Sequence, residues 1–470
     1  MHAEQAYLFR HALLRDAAYE LQLPGDRARL HALAFELIEQ AFGGRAPEPE
    51  PLDSHDEQPF ARHATDPIAH ELAWHARQAA TEDESFMAPQ RLYLRRAAEH
   101  YEQVFQVDAA VQSWQKLALI VTGAARGEAI RRNAVAQCTA GRSAEAEPIM
   151  HEALAILQRA GSRRLEGVAL GSLASLYGEF GRMEAAEQAY GRALAIHRET
   201  GDRHSEGIAL GNLASLYRDA GRMEAAERAY AQALAIHRKA GNRRPEGMFL
   251  GNLASLYRAT GRVDAAEQTH GQALAIHRET GNRRSEGVAL ANLASLYQDA
   301  GRVEEAEQAQ GQALAILRET GNRRGEGIVL GNLASLFRET GRAEAAEQTF
   351  GQALAIHRET GNRRSEGVAL GNLAVLYHET GRVEAAEQAY GLALALLRET
   401  GNRHQEGLTQ CDYAICLLAQ GSPEKAREYW RNGAATLLEL RDSTRLERQR
   451  QAMRDACAKA SVRPFDEDAA

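Results

Sequence analysis

The residues of this chain that come nearest to catalytic chemistry are His70, Glu71 and His75, in the text HELAWH. Two imidazoles around a carboxylate are what a zinc peptidase uses to hold its metal and activate water, but it needs the rings four residues apart on one helix face. Here they are five apart, which turns them roughly 140° from one another about a helix axis, and the pairing fails. No G-x-S-x-G and no kinase signature set occurs. A G-x-x-x-x-G-K-[ST] loop for phosphates is also missing. Cys138, Cys411, Cys416 and Cys457 form no CxxC pair, so they outline neither a zinc site nor a disulfide framework. A reducing compartment, the cytoplasm, is expected. The sequence therefore predicts no enzyme, no metal and no cofactor.

Recognition chemistry is better represented. Asn212, Asn252, Asn292, Asn332 and Asn372 recur every forty residues, followed three positions later by Ser215, Ser255, Ser295 and Ser335, and six positions later by Arg218, Arg258 and Arg338. A primary amide both donates and accepts, so a row of amides can hold the main chain of a peptide whatever its side chains are. Arginines beside the row would favour acidic residues on that peptide. An asparagine on a helix is equally well occupied by a neighbouring helix or by water, so the ladder alone leaves both readings open. Val168, Ile208, Met248, Val288, Ile328 and Val368 form an apolar row that is either a docking strip or packing against second-helix ends near Ile196 and Ile236; packing is expected. The arginine pairs Arg243–Arg244 and Arg283–Arg284 face Glu199, Glu279 and their equivalents and read as a solvated, ion-paired rim. His197, His237, His277 and His357 stand near helix C-termini, where the helix dipole accounts for them without a metal.

The elements that carry these rows follow from a forty-residue sentence, legible at 161–200 and repeated at 201, 241, 281, 321, 361 and, loosely, 401, with a worn copy at 121–160. An uninterrupted period of this length marks a solenoid. In the copy at 201–240, Leu210, Leu213, Ala214 and Tyr217 fall on one side of a first helix. Ala226, Tyr230, Ala233 and Leu234 give a second helix its matching stripe. Small residues at 214, 226 and 233 let the axes approach while Leu213, Tyr217 and Tyr230 fill the space. Gly241 closes the second helix in the left-handed conformation and Asn242 can cap the next.

These residues resemble the tetratricopeptide repeat, whose pattern of W, L-G, Y, A, F and P is met in order by Leu210, Leu213-Ala214, Tyr217, Ala226 and Tyr230, with Ala233 for the second Ala. Arg238 replaces the proline, so the six extra residues lengthen both helices. With GNRR, NLA-x-LY and QALAI, the text is similar to the long repeats of kinesin light chains and Pins-type polarity adaptors. The resemblance implies an all-α fold, an α-solenoid of helix-turn-helix repeats in a right-handed superhelix, whose concave side holds a peptide or helix of a partner protein and carries the asparagine row.

Outside the eight units at 121–440 the chain divides into a helical segment at 1–42, an acidic proline-rich linker at 43–66, a helical segment with a degenerate repeat at 67–120, and a capping helix with a tail at 441–470. A helix is expected over 4–22. The text YLFRHALLRDAAYELQLPGDRARLHALAFELIE, with Phe9-Arg10-His11-Ala12-Leu13 and Asp16-Ala17-Ala18-Tyr19, resembles the winged-helix end of STAND signal-transduction ATPases. That resemblance implies an alternative role, the sensor arm of an ATPase or transcriptional regulator whose nucleotide-binding module would lie before Met1. The linker APEPEPLDSHDEQP lacks apolar periodicity and is expected to stay mobile. In the degenerate repeat Ala97, Ala98 and Tyr101 face Ala110, Trp114 and Leu117. Ser443 or Thr444 is expected to cap the last helix, and the tail to fray. Net charge is −8 over 470 residues, with no basic domain for nucleic acid and no polybasic patch, leader or apolar run for a membrane. Self-association is the remaining possibility for so regular an array.

Overall fold

A computed structural model describes residues 22–54, 60–104, 106–440 and 442–465; the helix expected over 4–22 and the motif Phe9–Tyr19 lie outside them. Every regular element among the described residues is helical. The chain divides into two compact halves, Met1–Gly241 and Asn242–Ala470. In the first half, helices Pro24–Ala41 and Ala69–Ala79 precede four helix pairs, which run from Met87–Gln103 with Val107–Ala118 to Arg203–Asp219 with Met223–Ala240. In the second, five pairs run from Arg243–Ala259 with Val263–Glu279 to Arg403–Ala419 with Pro423–Glu439, followed by Ser443–Ala460. We call the first helix of each pair A and the second B.

The buried stripe is the expected one. Leu210, Leu213 and Ala214 of helix A meet Ala226, Tyr230, Ala233 and Leu234 of helix B, all buried. Tyr217 departs from expectation. It is half-buried, its hydroxyl donates to Glu187 of the preceding repeat at 2.8 Å, and Arg222 lies 4.3 Å over its ring while pairing with Glu187. The tyrosine thus ties one repeat to the next instead of filling the space between its own two helices. Tyr297, Arg302 and Glu267 repeat the arrangement in the second half.

Turns follow the glycine period: Gly241 has φ +68°, a left-handed conformation that costs glycine little and other residues more. The residue after such a turn caps the next helix in some repeats: Asn282 accepts from the Ser285 N–H at 3.2 Å, satisfying a donor that has no partner within the helix. Asn242, expected to cap, makes no such bond because Pro245 stands where the donor would be.

A second glycine position sets how close the helices come. A Cβ on Gly327 of helix A would lie 2.8 Å from the His357 ring of helix B, so only a hydrogen fits. The histidines are therefore core residues. His197, His277 and His357 are buried, with Nδ1 lacking a hydrogen bond, and burial lowers the pKa of each. A ring kept neutral does not complement a helix dipole, so the dipole explanation is corrected. The equivalent residues Leu317 and Leu397 fill the same slot against Gly287 and Gly367.

The described flanks of the array are tighter than their composition suggests. The segment expected to be a mobile linker is held where it is described before residue 55: Ala46 is buried, its N–H donating to the Tyr93 hydroxyl at 3.3 Å, and Leu52 packs on the adjoining core. Ala97, Ala98, Ala110, Trp114 and Leu117 are buried. At the other end Asp442, rather than Ser443 or Thr444, caps the last helix by accepting from the Arg445 N–H at 3.0 Å. The tail is anchored at Phe465, which is buried with Arg427 5.1 Å over its ring.

Candidate functional site

Opposite the buried stripe, helix A presents the asparagine row. Asn212 in the first half is half-buried; in the second, Asn252, Asn332 and Asn372 are half-buried and Asn292 exposed. Asn372 donates to the Ser335 hydroxyl of the preceding repeat at 3.3 Å. The side chains of Asn212, Asn252, Asn292 and Asn332 make no hydrogen bond to another described residue. The row continues into Asp412, which sequence reading missed because the residue type changes there. Burial raises the Asp412 pKa to about 6, against the hydrogen bond it accepts from Gln449 of the last helix at 3.0 Å.

The serines are partly committed. Ser215, Ser255, Ser295 and Ser335 each donate to the carbonyl four residues back, at 3.0–3.2 Å. This leaves their oxygens as acceptors, the role Ser335 plays toward Asn372. The arginines are neutralised within their own half: Arg218 by Asp219 at 2.9 Å, Arg258 by Asp299 at 2.7 Å, and Arg338 by Glu379 at 2.7 Å. The latter two pairs cross from one repeat to the next, so they bind the array together and have less charge left for a ligand.

Beside the asparagines runs the apolar row, and its packing expectation is corrected in the second half. Met248, Val288 and Ile328 are 43%, 45% and 44% exposed, while Val168, Ile208 and Val368 are half-buried. Each except Val168, which precedes Ser172, lies one helical turn before an asparagine of the same helix, so apolar and amide groups alternate across one surface.

The edge between repeats is ion-paired, as expected, but one member is buried. Glu286 is buried between Arg278 of the preceding helix B at 2.9 Å and Arg283 at 2.6 Å, and Arg283 also reaches Glu319 at 2.6 Å. Burial pushes the Glu286 pKa up most strongly, yet the two arginines outweigh it and the net shift is downward.

His70 and His75 face different neighbours: the His75 Nδ1 is 2.9 Å from the His31 Nδ1, whereas the His70 ring lies 6.4 Å from that of Tyr101. No group of three or more His, Cys, Asp or Glu able to hold a metal ion occurs among the described residues. None of the described helices is long and apolar enough to cross a membrane.

A family model described as "Tetratricopeptide repeat" matches residues 126–199, 167–239, 205–279, 246–319, 285–359 and 365–431, together more than half of the chain. A search of curated proteins returns no match. Among solved structures, the chain is similar to Rap protein complexed with Competence and Sporulation Factor, at 14% identity and TM-score 0.51 over 77% of this chain and 99% of that one. It is also similar to the STAND protein with a tetratricopeptide repeat sensor, PH0952, from Pyrococcus horikoshii, at 15% identity and TM-score 0.51 over 84% and 67%. BtubC (BKLC) from P. vanneervenii is 27% identical, with TM-score 0.38, over 47% and 91%.

Proposed function

The chain belongs to the tetratricopeptide-repeat family, and from that premise we propose that it is a protein-interaction scaffold that takes a peptide or helix of a partner protein on the A-helix face carrying the asparagines. The observation that carries this reading is the surface of the second half, where the unengaged amides of Asn252, Asn292 and Asn332 stand beside the exposed Met248, Val288 and Ile328. Apolar side chains left exposed in a row gain by being covered, and the amides satisfy the main chain of whatever covers them. Rap with its bound factor is a precedent for the fold holding a partner and leaves these residues to be tested here.

The test is affinity capture from lysate with the wild type and with Asn252→Ala/Asn292→Ala/Asn332→Ala. Loss of partners in the variant is expected; the same partners at the same strength would contradict the reading. The alternative role, sensor arm of a separate signal-transduction ATPase or transcriptional regulator, takes support from the likeness in fold to the STAND protein with its repeat sensor. Capture of a nucleotide-binding partner only in the presence of ATP would favour it.

A further inference from the structure

The degenerate repeat at the start of the array keeps the helix pair and lacks its polar ties. In the regular repeats the fourth residue of helix A is a buried glutamate held by two arginines, as Glu286 is by Arg278 and Arg283 and Glu326 by Arg318 and Arg323. The fourth residue of Met87–Gln103 is Gln90, and Met87 stands where Arg283 stands. Gln90 is 6% exposed, and its side-chain amide makes no hydrogen bond to any described residue. Tyr101 holds the position of Tyr217 and Tyr297, but its hydroxyl reaches no carboxylate among the described residues. A buried amide has given up its bonds to water, a loss that a bound partner restores.

Gln90 and Tyr101 line a cavity of about 410 Å³ whose walls are the helices on either side of theirs. Ala69–Ala79 contributes His70, Trp74 and Arg77, spaced four and three residues apart and so on one helix face. The text that fails as a zinc site thus has a place in the fold. Val107–Ala118 contributes Lys116 from the other wall, and Leu94 and Ile120 add apolar surface. Apolar walls with a few polar groups, at this size, suit a small molecule. The fixed charges are of one sign. Arg77 and Lys116 are exposed and have neither carboxylate nor hydrogen-bond partner among the described residues, and no described Asp or Glu lines the cavity. On a chain whose net charge is −8, two uncompensated cations beside two aromatic rings set the chemistry of what fits.

We propose that this cavity is a binding site for a small aromatic carboxylic acid that carries a second polar group. Its ring packs on Trp74 and Tyr101. Its carboxylate takes charge-assisted hydrogen bonds from Arg77 and Lys116. Its second polar group, a hydroxyl or an amide, meets the Gln90 side chain, which both donates and accepts. Leu94 and Tyr101 hold the positions of Leu210 and Tyr217 in the buried stripe, so the cavity lies off the helix face that carries the asparagines. The site is independent of the peptide-binding reading, and either stands if the other fails.

The probe is 6-hydroxy-2-naphthoate, titrated by isothermal calorimetry into the full chain, with its methyl ester as the control that keeps the ring and hydroxyl and removes the charge. One-to-one binding of the acid to the wild type is expected, with the ester weaker by about 10-fold. Arg77→Gln/Lys116→Gln replaces exposed, unpaired side chains, so the fold is retained, which circular dichroism checks. This variant should lower the affinity of the acid to that of the ester and leave the ester unchanged. Gln90→Leu replaces the unpaired amide with an apolar side chain and should weaken the acid about 10-fold while the thermal midpoint holds or rises. Absence of binding to the wild type, equal affinity for acid and ester, or full affinity of the acid for either variant would overturn the proposal.

Discussion

At the residue scale the informative group is the buried imidazole. His270 occupies the slot that Tyr190, Tyr230, Phe350 and Tyr390 fill elsewhere; it is 1% exposed, with neither ring nitrogen hydrogen-bonded. Burial, with help from Arg258, lowers its pKa from 6.5 to about 4. The unfolded chain takes up this proton near pH 6.5 while the folded chain resists it, so the stability tied to the neutral ring is complete above 6.5 and is lost as pH falls toward 4. His270→Tyr should flatten that acid slope, read as urea midpoints at pH 7 and pH 5; an unchanged slope would refute the assignment. His357→Leu should stabilise the fold by about 1 kcal/mol, since it replaces a desolvated, unpaired nitrogen with the residue that Leu317 and Leu397 already place in that slot. Thermal melting of the variant checks this. The sequence contained the signal, because this repeat position alternates between histidine and leucine. A histidine near a helix end also satisfies dipole reasoning, which hid it.

At the element scale the forty-residue period was enough to place helix pairs, turns and the buried stripe, because each depends on local spacing that a repeat makes plain. What spacing cannot show is how two elements touch. Gly327 reads as an interruption in helical text and is the point of closest approach between A and B. Gly327→Ala should destabilise by about 1–3 kcal/mol through overpacking against His357 and Ile356, measured by chemical denaturation. The same substitution at Gly331, where an added Cβ meets nothing within 4 Å, should be neutral or mildly stabilising. Residues 46–54 were misread for a related reason: their contacts run mainly through backbone carbonyls, which leave no trace in apolar periodicity. Tyr217 was assigned to its own repeat because a pattern within one repeat does not say which neighbour a hydroxyl reaches.

At the scale of the whole molecule, each half is joined by polar links that cross from repeat to repeat as well as by apolar burial. In the second half Arg278, Glu286, Arg283 and Glu319 form one chain of pairs across a repeat boundary. Because Glu286 is buried, Arg278→Gln/Arg283→Gln should cost about 3–5 kcal/mol by stranding its charge. Guanidinium pairs farther out toward solvent, such as Arg403 with Glu439, should contribute about 0–1 kcal/mol; denaturation of the two variants compares them. With stability assigned to these links and to the buried stripe, the amides of Asn252, Asn292 and Asn332 and the exposed Met248, Val288 and Ile328 make no polar link across the repeats of the described molecule, and recognition is the use their chemistry fits. The most direct test places a photo-crosslinking residue at Asn292 on the A-helix face and, separately, at the exposed Gln312 on helix B. The account predicts a partner adduct from position 292 and none from 312; adducts of equal yield at both, or from 312 alone, would contradict it.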